Sequence, residues 1–171
     1  MTDISVDKLD SSLRIKEVYA RYGLAMYHSQ VLERGLAMAL ATVFGQGIAT
    51  AQDYERELTV LFKQTYGQLV KRFESSGASA DLIEDVQRSL EQRNWLAHRY
   101  FWNKAIELVS AEEQEKAIVE LTDLAFEFDR IDNVLTELGH QWCAARGFDI
   151  ETAAAEELAA LLNGETPWPL P

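Results

Sequence analysis

Cys143 is the only cysteine in the chain, so no intrachain disulfide can form and no cysteine-based metal cage can be assembled. Proline is nearly as scarce: there are three in 171 residues, all within the final P-W-P-L-P. Everything upstream is therefore free of the residue that most strongly interrupts a helix. Positive charge is short too. Sixteen Lys and Arg stand against 28 Asp and Glu, and the formal net charge of −12 opposes any surface that coats itself with phosphate. Contact with nucleic acid would have to be confined to a local basic spot.

Long hydrophobic runs are also missing. No window approaches the roughly 18 apolar residues of a membrane span, and M-T-D-I-S-V-D-K-L-D lacks the basic start and apolar core of a secretory leader. The expected setting is cytoplasmic, with no membrane partner. There is no phosphate-binding G-x-x-x-x-G-K-[S/T], no G-x-G-x-x-G and no G-x-S-x-G, which leaves NTPase, dinucleotide and serine-hydrolase chemistry without a motif. The three histidines lie in separate segments with no H-E-x-x-H, so neither a metal nor another cofactor is expected. His28 and His140 read as packing residues.

What remains is an ordinary globular composition, 47% apolar and 26% charged, long enough for one well-buried core. Apolar residues recur at three- and four-residue steps from Leu13 to Phe44, the mark of a long amphipathic helix. Gly45-Gln46-Gly47 stops it, and Thr50-Ala51-Gln52-Asp53 offers a restart. A second helix carries Leu58, Leu61, Phe62, Leu69, Val70 and Phe73 and ends near Ser75-Ser76-Gly77. Ser79 caps a third, which runs through Phe101, and Ser110-Ala111-Glu112-Glu113 opens a fourth, whose apolar line from Ile118 to Leu138 reads as core. Gly147 breaks the chain before a short fifth helix over 150–162. No segment alternates with period two. The expected fold is all-α, an antiparallel bundle of four long helices plus a short C-terminal helix. It divides into an N-terminal segment over 1–12, a single helical domain over 13–163 and a Pro-rich tail over 164–171, where Trp168 either docks or hangs loose.

The third helix contains R-N-W-L-A-H-R-Y-F-W, Arg93 to Trp102. Following its apolar line through Val86, Leu90, Asn94, Ala97 and Phe101 puts Asn94 on the buried stripe and His98 beside it, one turn on. Arg93 precedes His98 by five residues, which separates their side chains by about 140° on an ideal helix. The long arginine can swing round, or a two-fold axis can bring a second copy of the motif opposite the first. Trp95, Tyr100 and Trp102 suit a face that a partner partly covers. An imidazole can take or give a proton at cellular pH, and a guanidinium can grip a phosphate through parallel N–H donors while stabilising its developing charge. With an RNA 2′-hydroxyl as internal nucleophile, the two suffice for strand cleavage without a metal.

Arg93-Asn94 followed by His98 resembles the R-x-x-x-x-H signature of the HEPN superfamily, including the polar residue that commonly follows the arginine. Tyr100 extends the likeness to R-x-x-x-x-H-x-Y, the form found in HEPN toxins paired with a nucleotidyltransferase antitoxin. The resemblance implies a HEPN-like helical fold, a homodimer with the motif at its interface, and a metal-independent endoribonuclease of toxin or defence type acting on RNA. Arg93 and His98 would be the catalytic pair, with Asn94 supporting them. Tyr100 would lie at the mouth of the cleft as the residue an antitoxin modifies with AMP. The other reading is a non-catalytic HEPN-like module that binds a nucleotide or a protein. In that case His98 is a structural histidine and Arg93 pairs with Glu91 or a carboxylate such as Glu17.

Overall fold

The computed structural model describes residues 4–45 and 51–147, with positions 155, 159–160 and 162–164 beyond them; the side chains at 4–11 and 51 are not included. The described chain is all-helical: α1 (Ile4–Ala41), α2 (Ala51–Leu61), α3 (Tyr66–Glu74), α4 (Ala80–His98), α5 (Tyr100–Lys104), a 3-10 turn at Glu107–Val109, and α6 (Ala111–Ala144). Residues 4–12 thus continue the first helix. The expected restart at Thr50, most of the fifth helix and the Pro-rich tail from Glu165 lie outside the described residues.

Side chains start the helices where the sequence offers them. The Ser79 hydroxyl accepts from Leu82 N–H and that of Ser110 from Glu113 N–H, each satisfying a donor that a first turn leaves open. Gly77 and Gly147 sit at φ +84° and +75°, which ends the segments before them without a Cβ penalty. The second expected helix is in fact two. The chain turns at 62–65, and Thr65 with Gln68 forms a complete capping box that launches α3.

That additional turn changes the topology. α2 runs back along α1, bringing Phe62 under the guanidinium of Arg34, and α3 returns so that Phe73 meets Phe44 edge-on at 5.1 Å. α4 therefore descends against α1, where Arg93 lies opposite Glu33 and Phe101 opposite Tyr19. α6 ascends beside α1. Arg14 meets Gln114, His28 faces Asp129, and Gly35 abuts Asp132, so the contacts advance in the same direction along both helices. α4 is antiparallel to both α1 and α6, so α1 and α6, the two longest helices, are parallel, where alternation of the four expected helices would have made α1 parallel to α4 and antiparallel to α6. One unrecognised reversal inverted every later direction.

The core is made where these three helices meet. α1 contributes Val18, Ala25, Leu32, Leu36 and Leu40, and α6 contributes Leu121, Ala125, Phe128, Ile131 and Leu135. The α6 line is core, as its spacing implied. On α4 the inward line is Leu82, Val86, Ser89, Arg93 and Leu96, continued by Tyr100 at the start of α5, with steps of four and three residues. All of these are buried except Arg93, which is half-buried. Asn94, expected on the buried stripe, is exposed. The stripe is rotated by about one residue, because Ser89 and Arg93 find polar partners inside and can occupy positions that an apolar count would refuse them.

Ser89 shows how this works. Its hydroxyl donates to Val86 C=O at 2.7 Å, so the 2.5 Å contact with Tyr66 must be the phenol donating to Ser89. Burial pushes the Tyr66 phenol well above its ordinary range, which keeps it a donor. Ser89→Ala should destabilise the fold by about 1–3 kcal/mol by stranding that phenol. Adding Tyr66→Phe should recover part of the loss, which urea unfolding of the two variants would measure; equal stability of the single and wild-type proteins would refute the assignment.

Between α4 and α6, Arg88 and Arg130 bracket Glu127 and Asp85 in a partly exposed ion network. Arg130, and further Arg88, hold the Glu127 carboxyl down at about 2. A depressed carboxylate stabilises fully above its unfolded value of about 4.3 and loses that contribution as pH falls towards its folded value. Glu127→Gln should therefore lower stability at pH 7 by about 0.5–1 kcal/mol, with the gap from wild type closing between about pH 4 and 2 in a thermal-unfolding series.

Candidate functional site

The R-N-W-L-A-H-R-Y stretch does not lie on one helix. α4 ends at His98, Arg99 adopts φ −132°, ψ −20°, and α5 starts at Tyr100. The joint is held from the side. The Tyr22 phenol donates at 3.1 Å to Leu96 C=O, one of the carbonyls that the last turn of α4 frees, and Arg99 N–H closes on Trp95 C=O at 2.9 Å. Tyr100 then turns into an aromatic cluster, with ring centroids 4.9 Å from Trp95, 5.2 Å from Phe101 and 5.7 Å from Tyr22.

The joint separates the motif's side chains. Arg93 points inward to α1, where its Nη2 lies 3.5 Å from Glu33 Oε2 and its Nη1 donates to the Asn94 side-chain oxygen at 3.2 Å, while its Nε is buried with no partner. Asn94 and His98 are exposed, and His98 is the basic residue of α4's last turn. No contact joins His98 to Arg93 within the chain, whereas Asn94 does touch Arg93. Tyr100, expected at the mouth of a cleft, is 0% exposed with its hydroxyl unpartnered, and burial raises its phenol far above the ordinary range. Of the three neighbouring aromatics, Trp95 is half-buried and only Trp102 faces outward.

Arg93 forms part of the wall of a cleft of about 630 Å³ between α1, the α2–α3 turn, α4 and α6, together with Tyr27, Glu33, Arg34, Leu69 and Asp132. Glu33 and Asp132 oppose Arg34 and Arg93 in charge. Asp132 packs so closely on Gly35 that a methyl there would overlap its Oδ1, and that oxygen is buried without a donor. Burial, reinforced by Asp129, raises the Asp132 carboxyl, with His28 opposing the shift. Glu33, Asp132 and the Tyr66–Ser89 pair escaped the sequence reading. The one available signal was Gly35, a glycine deep in a helical pattern, which marks close approach by another element. His28 is half-buried with its Nδ1 3.5 Å from Asp129 Oδ1, and His140 is exposed. Among the described residues no group of His, Cys, Asp and Glu is arranged to hold a metal ion, and no helix is long and apolar enough to cross a membrane.

No sequence-family profile, curated protein or solved structure matches the chain. The chemistry therefore has to be argued from the side chains alone. An inward guanidinium with an idle N–H and an outward imidazole on the same helix can grip a phosphate and move a proton, but they cannot act on one atom within a single copy. Tyr100→Phe removes a buried hydroxyl that nothing satisfies, so it should leave stability unchanged or raise it by up to about 1 kcal/mol, measured by denaturant unfolding. A loss of more than about 1 kcal/mol would mean that the hydroxyl has a partner.

Proposed function

We propose that the chain is a HEPN-like, metal-independent endoribonuclease of toxin or defence type. It acts as a homodimer whose two-fold cleft joins Arg93 of one copy with His98 of the other. The observation that carries the reading is the split of the motif: His98 is presented to solvent at the end of α4 while Arg93 is turned inward with an unsatisfied Nε. A closed two-fold contact uses one patch twice and so supplies each imidazole with a guanidinium from the other copy.

In that cleft the His98 imidazole takes the proton of an RNA 2′-hydroxyl as its oxygen attacks the adjacent phosphorus. The 5′-oxygen leaves and takes a proton from the second imidazole or from water, giving a 2′,3′-cyclic phosphate and a 5′-hydroxyl. Arg93 stabilises the charge that gathers on the phosphoryl oxygens, and Asn94, through its contact with Arg93, fixes the guanidinium's plane. A nucleotidyltransferase antitoxin belongs to the same reading, with Tyr100 as its target. Because that ring is buried, its modification requires the α4–α5 joint to open.

A second reading has its own support. Glu33 already neutralises Arg93, and Asp132 stands in the same cleft, so two carboxylates oppose a phosphate there. That arrangement suits a non-catalytic HEPN-like module binding a nucleotide or a protein. Incubation of the purified protein with single-stranded RNA in EDTA separates the two. The nuclease reading predicts cyclic-phosphate ends and a loss of roughly 10²–10⁴-fold in rate for His98→Ala, whose exposed position leaves folding intact. No cleavage by a dimeric wild-type protein, or equal cleavage by the variant, would leave the module.

A further inference from the structure

The net charge of −12 requires any nucleic-acid contact to be local, which raises the question of where the described surface carries a guanidinium that no other side chain engages. Of the described arginines, six pair with carboxylates, Arg14 bonds to Gln114, and Arg34 and Arg146 lie over aromatic rings. Arg99 is the remaining one. It is exposed, and no side chain among the described residues engages it.

Its neighbours in space are set by the break that it makes. His98 precedes it on the last turn of α4, and Trp102 follows on α5 with its indole 88% exposed, the most exposed aromatic ring of the described chain. The backbone beneath that ring is not free to drift. Tyr100 is fully buried, Phe101 packs on Tyr22 with centroids 4.7 Å apart, and Asn103 N–H bonds to Arg99 C=O at 2.9 Å. A large flat ring is thus held outward on a fixed support beside an unpaired cation and a solvent-facing imidazole.

From this juxtaposition we infer that Arg99 and Trp102 form a binding platform for single-stranded RNA, the indole stacking on an unpaired base and the guanidinium holding a flanking phosphate next to His98. The inference rests on the nuclease reading and gives that site its substrate class. Aromatic faces accept any base but only when it is unpaired, and an arginine beside them tracks the backbone. A duplex hides its bases, so the platform selects against it. The same exposed ring, with Ile106 and Val109 at 89% and 81% exposure nearby in sequence, is also what a protein contact would use, and the test includes that outcome.

The measurement is fluorescence anisotropy with a labelled 12-nucleotide single strand and a 12-base-pair RNA duplex, in the non-cleaving His98→Ala protein, with its oligomeric state followed by sedimentation. The single strand is expected to bind more tightly than the duplex. Trp102→Ala should weaken it roughly 5- to 100-fold while Trp102→Phe retains most of the affinity. Arg99→Ala should lower the slope of log affinity against log salt by about 0.7. Single-strand binding that is untouched by both alanine variants overturns the platform and leaves the nuclease reading standing. Trp102→Ala dissociating the protein without changing binding per copy also overturns it, and identifies a protein contact. No RNA binding at all, together with no cleavage by the wild type, removes the nuclease reading itself and the platform with it.

Discussion

The rotation of α4 about its own axis is the constraint from which the rest follows. Leu82, Val86, Ser89, Arg93, Leu96 and Tyr100 face the α1–α6 pair, and a helix can turn only one line inward. Two of those six positions are polar. Ser89 is tolerated because Tyr66 donates to it, and Arg93 because Glu33 faces it. Without these partners, burying a hydroxyl and a guanidinium would cost more than the flanking leucines return. With them the register is fixed, and Asn94, His98, Arg99 and Trp102 are left on the outer side.

The consequence for chemistry is a division of labour within one short motif. The inward residue is a guanidinium held by a carboxylate, with an idle Nε at the rim of a cleft. The outward residue is an imidazole exposed at a helix end. Tyr100, four residues after Leu96 on the inward line, enters the cluster of Tyr22, Trp95 and Phe101, while Trp102 faces outward on a firmly held backbone. Among the described residues, Arg99, which no other side chain engages, and the exposed Trp102 indole thereby accompany the exposed His98.

Much of the fold was legible from the residues. Helix-period spacing located α1, α4 and α6, and Ser79, Ser110, Gly77 and Gly147 marked boundaries because each supplies a cap or a left-handed turn that the backbone needs locally. The split of the second helix was also written in the chain, as T-Y-G-Q, where Thr65 and Gln68 have capping-box spacing. It was missed because the apolar residues on either side continue without a gap. The rotation of α4 was not legible. Leu90, Asn94 and Ala97 fit the apolar period as well as Ser89, Arg93 and Leu96 do, and the choice rests on Tyr66 and Glu33, which come from other helices. For the same reason the sequence could bring Arg93, Asn94, His98 and Tyr100 together as a motif but could not show that they point in different directions.

On the nuclease reading proposed above, that divergence requires a second copy for any shared chemistry, and subunit mixing tests it most directly. Arg93→Gln and His98→Ala proteins, each inactive alone, are unfolded together, refolded and assayed on single-stranded RNA. If guanidinium and imidazole come from different copies, half the dimers are mixed and each carries one intact site of two, so cleavage should return to about a quarter of the wild-type level. Mixed dimers that form and stay inactive would contradict the account.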